Sequence, residues 1–200
     1  MYYTVMLHNQ GDDKLLFPTS LKDKTELYAT IPFNQRVTQP FGVLDSFEVK
    51  EPTKKTITLS RLYSLITLDF TDLRDLSIVK TIKIKPPAHS LYAWTPLNPS
   101  YDQKLSGIKN EAIISHDFNV HPEVTFSHFL GLQENEVPVE YVVEIWDESK
   151  LLRSFQLKSA IKNDVKLKFI GELYPLDNSN SHYEVMLDKN WKGAKIVEFK

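Results

Sequence analysis

Apolar and polar positions along this chain alternate with a period of two, and no stretch of a dozen residues carries a helical period. The longest alternating run is Thr56–Asp72, TITLSRLYSLITLDFTD. In its first half Ile57 and Leu59 alternate with Thr56, Thr58 and Ser60. In its second half Ile66, Leu68 and Phe70 alternate with Thr67, Asp69 and Thr71. Each half reads as a strand with one buried face. The apolar positions switch from odd to even between the halves, so the pattern predicts a bend or bulge at Ser60–Arg61.

Strands are also predicted at Tyr2–His8, Lys14–Phe17, Glu26–Ile31 and Phe47–Lys50, with Asn9–Asp13 as a turn. Pro40-Phe41-Gly42 reads as a loop or a bent edge segment. Leu73–Leu76 reads as a single helical turn capped by Asp72. In Ser77–Lys85, Ile82 and Ile84 oppose Lys83 and Lys85, the signature of a half-exposed strand ended by Pro86-Pro87. Leu91–Thr95, Ile108–Ser115 and Val124–Gly131 follow as strands. Val139–Trp146 sets Val139, Tyr141, Val143 and Ile145 on one face and Glu140 and Glu144 on the other. The turn Asp147–Lys150 then predicts an antiparallel return through Leu151–Lys158. Val165–Ile170, Tyr183–Leu187 and Ala194–Phe199 complete the series. Short strands at regular spacing define an all-β protein, an antiparallel β-sandwich. The irregular Pro96–Asp102 suggests a division into two small sandwiches, 1–96 and 97–200, with a single domain as the alternative.

Composition narrows the function classes rather than choosing one. A net charge of −2 and only four arginines (Arg36, Arg61, Arg74 and Arg153) give no basis for nucleic-acid binding. The absence of cysteine excludes disulfides, thiolate metal sites and cysteine nucleophiles. No apolar run reaches the roughly 18 residues of a membrane helix. The start, MYYTVMLHNQ, has no signal-peptide pattern and enters a strand at once, which predicts a piece of a longer protein.

Candidate chemistry is sparse. His116, His121 and His128 do not share the i, i+2 spacing of a strand-borne metal site and read as scattered surface and loop histidines. Asp69, Asp72 and Asp75 lack the dense oxygen ligands of a calcium loop and read as strand-end and capping carboxylates. Glu140 and Glu144 share a strand face, but any half-exposed strand carries such residues. Phosphate-binding loops and nucleophile elbows are missing. Neither a catalytic residue nor a cofactor is assigned. Tyr92, Trp94, Tyr101, Trp146 and Trp191 are either core and rim aromatics or a stacking platform for sugars. Trp191, in a polar turn, and Tyr92 are the candidates for ligand stacking.

Three segments resemble the fimbrillin-like proteins of Bacteroidetes, the family of minor and anchor fimbrial subunits. They are the strand–turn–strand YYTVMLHNQGDDKLLF, the run Thr56–Asp72 with Arg61 at its join, and the tail HYEVMLDKNWKGAKIVEF. The chain departs from that family in having no lipoprotein signal with its cysteine and no opening strands. The resemblance implies transthyretin-like or immunoglobulin-like sandwiches, a location at the cell surface or outer membrane, and no catalysis. It also implies assembly with other fimbrial subunits by strand addition. In this chain the terminal strand with Ile196, Val197 and Phe199 is either the exchanged segment or an ordinary last strand of its own sheet.

The expectation is a non-enzymatic fimbrial or adhesin-type subunit whose partners are other subunits and surface glycans or proteins of host or bacterium. One alternative is a carbohydrate-binding surface module. Another is a small enzyme, which requires a pocket of convergent carboxylates or histidines.

Overall fold

The structure, a computed structural model, describes residues 2–9, 29–30, 39–48, 51–52, 54–86, 93–94, 111–130, 135–174 and 183–187. These residues contain thirteen strands and no helix. In chain order they are β1 (Tyr2–Asn9), β2 (Ala29–Thr30), β3 (Pro40–Phe47), β4 (Ser60–Arg61), β5 (Tyr63–Phe70), β6 (Thr81–Lys85) and β7 (Ala93–Trp94). There follow β8 (Ala112–Ile114), β9 (Glu123–Phe129), β10 (Val137–Trp146), β11 (Leu151–Ile161), β12 (Lys166–Gly171) and β13 (Tyr183–Leu187).

Two four-stranded sheets, ordered β11-β10-β6-β8 and β13-β12-β5-β9, face each other across one apolar core. The alternation in the sequence dictates which side chains fill it. Val139, Tyr141, Val143 and Ile145 of β10 and Ile82 and Ile84 of β6 enter from the first sheet. Ile66, Leu68 and Phe70 of β5, Leu167 and Phe169 of β12, and Val124 and Phe126 of β9 enter from the second. The Phe126 and Tyr141 rings meet edge to face across the gap, centroids 5.3 Å apart. The return from β10 to β11 is antiparallel, as the four-residue turn requires, with a register shift at Ile145/Trp146. One pair, β5 with β12, is parallel; the other pairs among the described residues are antiparallel. β5 and β6 hydrogen-bond to β9, β12, β10 and β8, all beyond residue 96.

The Thr56–Asp72 run is the hinge between sheets. Residues 54–59 form no strand, although Ile57 and Leu59 are more buried than Thr56 and Thr58. Ser60–Arg61 pairs with β3 in a smaller sheet, β1-β3-β4, and after Leu62 the chain enters the sandwich as β5. The predicted bend therefore sits where expected, but the first predicted strand shrinks to two residues. Pro40-Phe41-Gly42 is not a loop: it opens the eight-residue β3. Proline takes the first position, opposite Asn9, and its carbonyl accepts the Leu62 N–H at 3.0 Å.

Arg61 fastens the switch. It is ion-paired to Asp164 at 2.5 Å, and Asp164 holds a left-handed backbone, φ 63°. The Asp164 N–H in turn donates to the Tyr63 carbonyl at 3.0 Å. Replacing Asp164 with Ala removes the carboxylate and leaves a β-carbon in a strained conformation, so Asp164→Ala is expected to cost about 2 kcal/mol. Asp164→Gly, free of the backbone strain, is expected to cost about half as much. Urea unfolding of both variants measures the difference.

Candidate functional site

The carboxylates singled out in the sequence are each engaged by the fold. Asp69 pairs with Lys168 at 2.7 Å, and Lys168 also reaches Glu123 at 3.0 Å. The Asp69 bond raises the Lys168 pKa. Asp75 accepts the backbone and side-chain donors of Ser77 and the amide of Asn119, which together lower its pKa. Glu140 pairs with Lys158 at 3.3 Å. Glu144 accepts from Lys85 and from the Trp146 indole N–H. Burial works against the Glu144 charge, and these two donors outweigh it, so its pKa falls.

Asp72 caps no helix. Leu73–Leu76 is irregular, and the Asp72 carboxylate instead accepts the N–H groups of Leu173 at 2.6 Å and Tyr174 at 2.8 Å. A partner about a hundred residues away outcompetes the local amides, which no local pattern shows.

Two of the three histidines lie in a surface turn, as the sequence predicts, and the third does not. His116 and His121 come together across the turn that Asp117 nucleates: their rings lie 5.9 Å apart and His116 Nε2 donates to the His121 carbonyl at 2.9 Å. The turn brings together two rings that a continuous strand would set on opposite faces. His128 is no surface residue. It shares the inner face of β9 with Val124 and Phe126, is 3% exposed, and meets the Tyr141 hydroxyl of the opposite sheet at 2.5 Å. Burial depresses its pKa to about 3. Among the described residues no three histidine, aspartate or glutamate side chains gather into a metal site.

Two surfaces remain as candidates for contact. The first is a loop end of the sandwich. Residues 71–80 are tied to the 172–174 strap by Asp72, and the Arg74 guanidinium lies 3.8 Å from the Tyr174 ring centroid. Arg153 holds the same strap through the Glu172 and Leu173 carbonyls. Asn119 links the neighbouring turn, accepting the Leu76 N–H and donating to Asp75. On this braced frame Leu73 is fully exposed at 101%, with Val120 at 63% and Ile78 at 42%.

The second surface is the outer face of β11-β10-β6-β8. Trp146 is half-buried there, beneath Lys83, whose ammonium lies 4.3 Å from the ring centroid. Thr81 and Ser115, hydrogen-bonded to one another, and exposed Ser154 and Leu151 border it. Of the other aromatics, Trp94 falls on β7, and Tyr92, Tyr101 and Trp191 lie outside the described residues. So do Ile196, Val197 and Phe199. Leu73 and Lys83 escaped the sequence reading because exposure of a lone leucine, and the ring beneath a lysine, leave no periodic mark.

No family model and no curated protein matches the chain. Solved structures are similar to it at low identity. A candidate cell adhesion protein from Bacteroides uniformis ATCC 8492 is 9% identical with a TM-score of 0.47, over 98% of this chain and 73% of that one. A candidate adhesin from Bacteroides ovatus is 10% identical with a TM-score of 0.46, over 100% of this chain and 74% of that one.

Proposed function

We propose that the protein is a non-enzymatic, adhesin-type subunit of the cell surface, displayed at the outer membrane and joined to other fimbrial subunits by strand addition. The observation that carries the adhesive reading is the braced loop end. A single exposed leucine is ordinary on a protein surface. Leu73 differs because the residues on both sides are pinned to the 172–174 strap, so its side chain is held out in water by the fold itself. Val120 and Ile78, on loops joined through Asn119, add apolar contact area at low entropic cost to a partner. Asp69, Asp72, Glu140 and Glu144 are meanwhile committed to structural partners, which favours binding over acid–base chemistry at these residues.

The assembly part of the reading rests on the resemblance of the tail and on the physics of sheet edges. Among the described residues, strand β11 spans eleven residues at the end of its sheet order, and a β-prone segment such as Ala194–Phe199 is a candidate donor to an edge of this kind in another subunit. Light scattering of purified protein tests it. Wild type is expected to form multimers, and Val197→Asp/Phe199→Asp to stay monomeric with an unchanged melting temperature. Equal mass distributions for the two would overturn strand addition.

A further inference from the structure

Lys83 is the odd cation on the outer face of β11-β10-β6-β8. Lys85 is ion-paired to Glu144 and Lys158 to Glu140. Lys83 makes no ion pair among the described residues; it lies over the Trp146 ring, diagonal to it across the β6–β10 ladder. Glu144 stands directly opposite Lys83, but its carboxylate is already taken by Lys85 and the indole N–H. Lys83 and Lys85 therefore share the one Glu144 carboxylate, Lys85 by direct contact and Lys83 through space. The indole is held at a fixed angle, because its N–H is bonded to Glu144 at 3.1 Å. Hydroxyls of Thr81, Ser115 and Ser154 and the exposed side chain of Gln156 stand on the same face.

An oriented indole, an ammonium held over its face without an ion pair among the described residues, and neighbouring hydroxyls on the same face of the sheet match one ligand chemistry. A pyranose ring lays its C–H face on the indole, its carboxylate takes the ammonium, and its hydroxyls bond those of the sheet. We infer that Trp146 and Lys83 form a subsite for a carboxylate-bearing sugar of a surface glycan. Lys83 is the gate: its ammonium swings from the ring to the sugar carboxylate, exchanging a cation–π contact for a charge-assisted hydrogen bond and uncovering the indole face. A neutral sugar offers the ammonium only hydroxyl and ring oxygens, uncharged acceptors that repay the lost ring contact less well than a carboxylate. Charge complementarity therefore selects acidic over neutral sugars. This subsite supplies a ligand for the adhesive reading but does not depend on strand assembly, so the two fail separately.

Biolayer interferometry of the whole protein on immobilised glycans tests the subsite. The arms are 3′-sialyllactose against lactose, and a glucuronic-acid tetrasaccharide against its carboxyl-reduced form. The expected result is binding to one or both acidic glycans at least about tenfold tighter than to the neutral partner. The arm that binds identifies sialic or uronic acid as the source of the carboxylate. Lys83→Gln, a surface change, is expected to remove that preference, and Trp146→Ala to remove binding to all four. Equal binding of acidic and neutral glycans, binding to none, or an undiminished preference in Lys83→Gln overturns the assignment.

Discussion

Acidification from pH 7 to pH 4.5 is expected to remove roughly 2–3 kcal/mol of folding stability through His128, and roughly 4 kcal/mol by pH 3. The folded pKa of about 3 lies below the ordinary value of 6.5, because burial between the sheets disfavours the imidazolium. Between those values the unfolded chain binds a proton that the folded chain refuses, so stability rises with pH. The contribution is fully present above pH 6.5 and is lost as pH falls towards 3. Ordinary carboxylates titrate mostly below pH 4.5, so the fall in stability between pH 6.5 and 4.5 is where the His128 contribution shows, and the His128 variants isolate it. His128→Leu alone leaves the Tyr141 hydroxyl facing an apolar side chain in the core and is expected to cost about 2 kcal/mol at pH 7. His128→Leu/Tyr141→Phe replaces both polar partners, recovers most of that loss and flattens the pH profile. Urea midpoints at half-unit steps of pH read out all three proteins. A slope in the double variant equal to wild type would show that His128 does not carry the effect.

The second large effect is expected at Asp72. Asp72→Ala leaves the Leu173 and Tyr174 amides without their acceptor and loosens the strap beneath the loop end, at a cost of about 3 kcal/mol. That corresponds to a fall of about 10 °C in melting temperature for a chain of this size. Asp72→Asn separates charge from geometry. Its one carbonyl oxygen serves one amide, and its NH2 faces the other, so it is expected to lose more than half of the same stability. If Asp72 were a cap of its own local turn, Asn would substitute for it almost without loss. Melting curves of the two variants distinguish these cases.

These two residues also mark what the sequence could and could not disclose. The alternation in Val139–Trp146 places Val139, Tyr141, Val143 and Ile145 on one face, and that face is the buried one. Period-two patterning is a local property and survives translation into structure. The bend at Ser60–Arg61 was legible for the same reason, as a switch of parity. Pairing across long separations was not. The Asp72 bond to the strap, the Arg61–Asp164 pair and the parallel β5–β12 ladder join residues about a hundred positions apart, and nothing in either segment names the other. His128 continues the inward series Val124 and Phe126 of its own strand, a relation that comparing it with His116 and His121 does not disclose. Parity was the better guide, because Tyr141 supplies the partner that lets a polar ring be buried.

The contact surfaces were the least legible part. Trp146 was visible as one aromatic of several, but the lysine over its ring follows from the β6–β10 register. Leu73–Leu76 reads in the sequence as a single helical turn, which says nothing of where Leu73 points. Leu73 is exposed because Asp72 and Arg74 draw the chain against residues 173 and 174 and leave the side chain between them pointing outward.

Surface display with adhesion through the loop end is the centre of the account. It is tested most directly by adding monovalent antibody fragments raised against the 71–80 loop to intact cells of the source organism and measuring their attachment to a glycan- and protein-coated surface. The account predicts that the fragments bind unpermeabilised cells and lower attachment. Fragments that bind only after the cells are opened would contradict it.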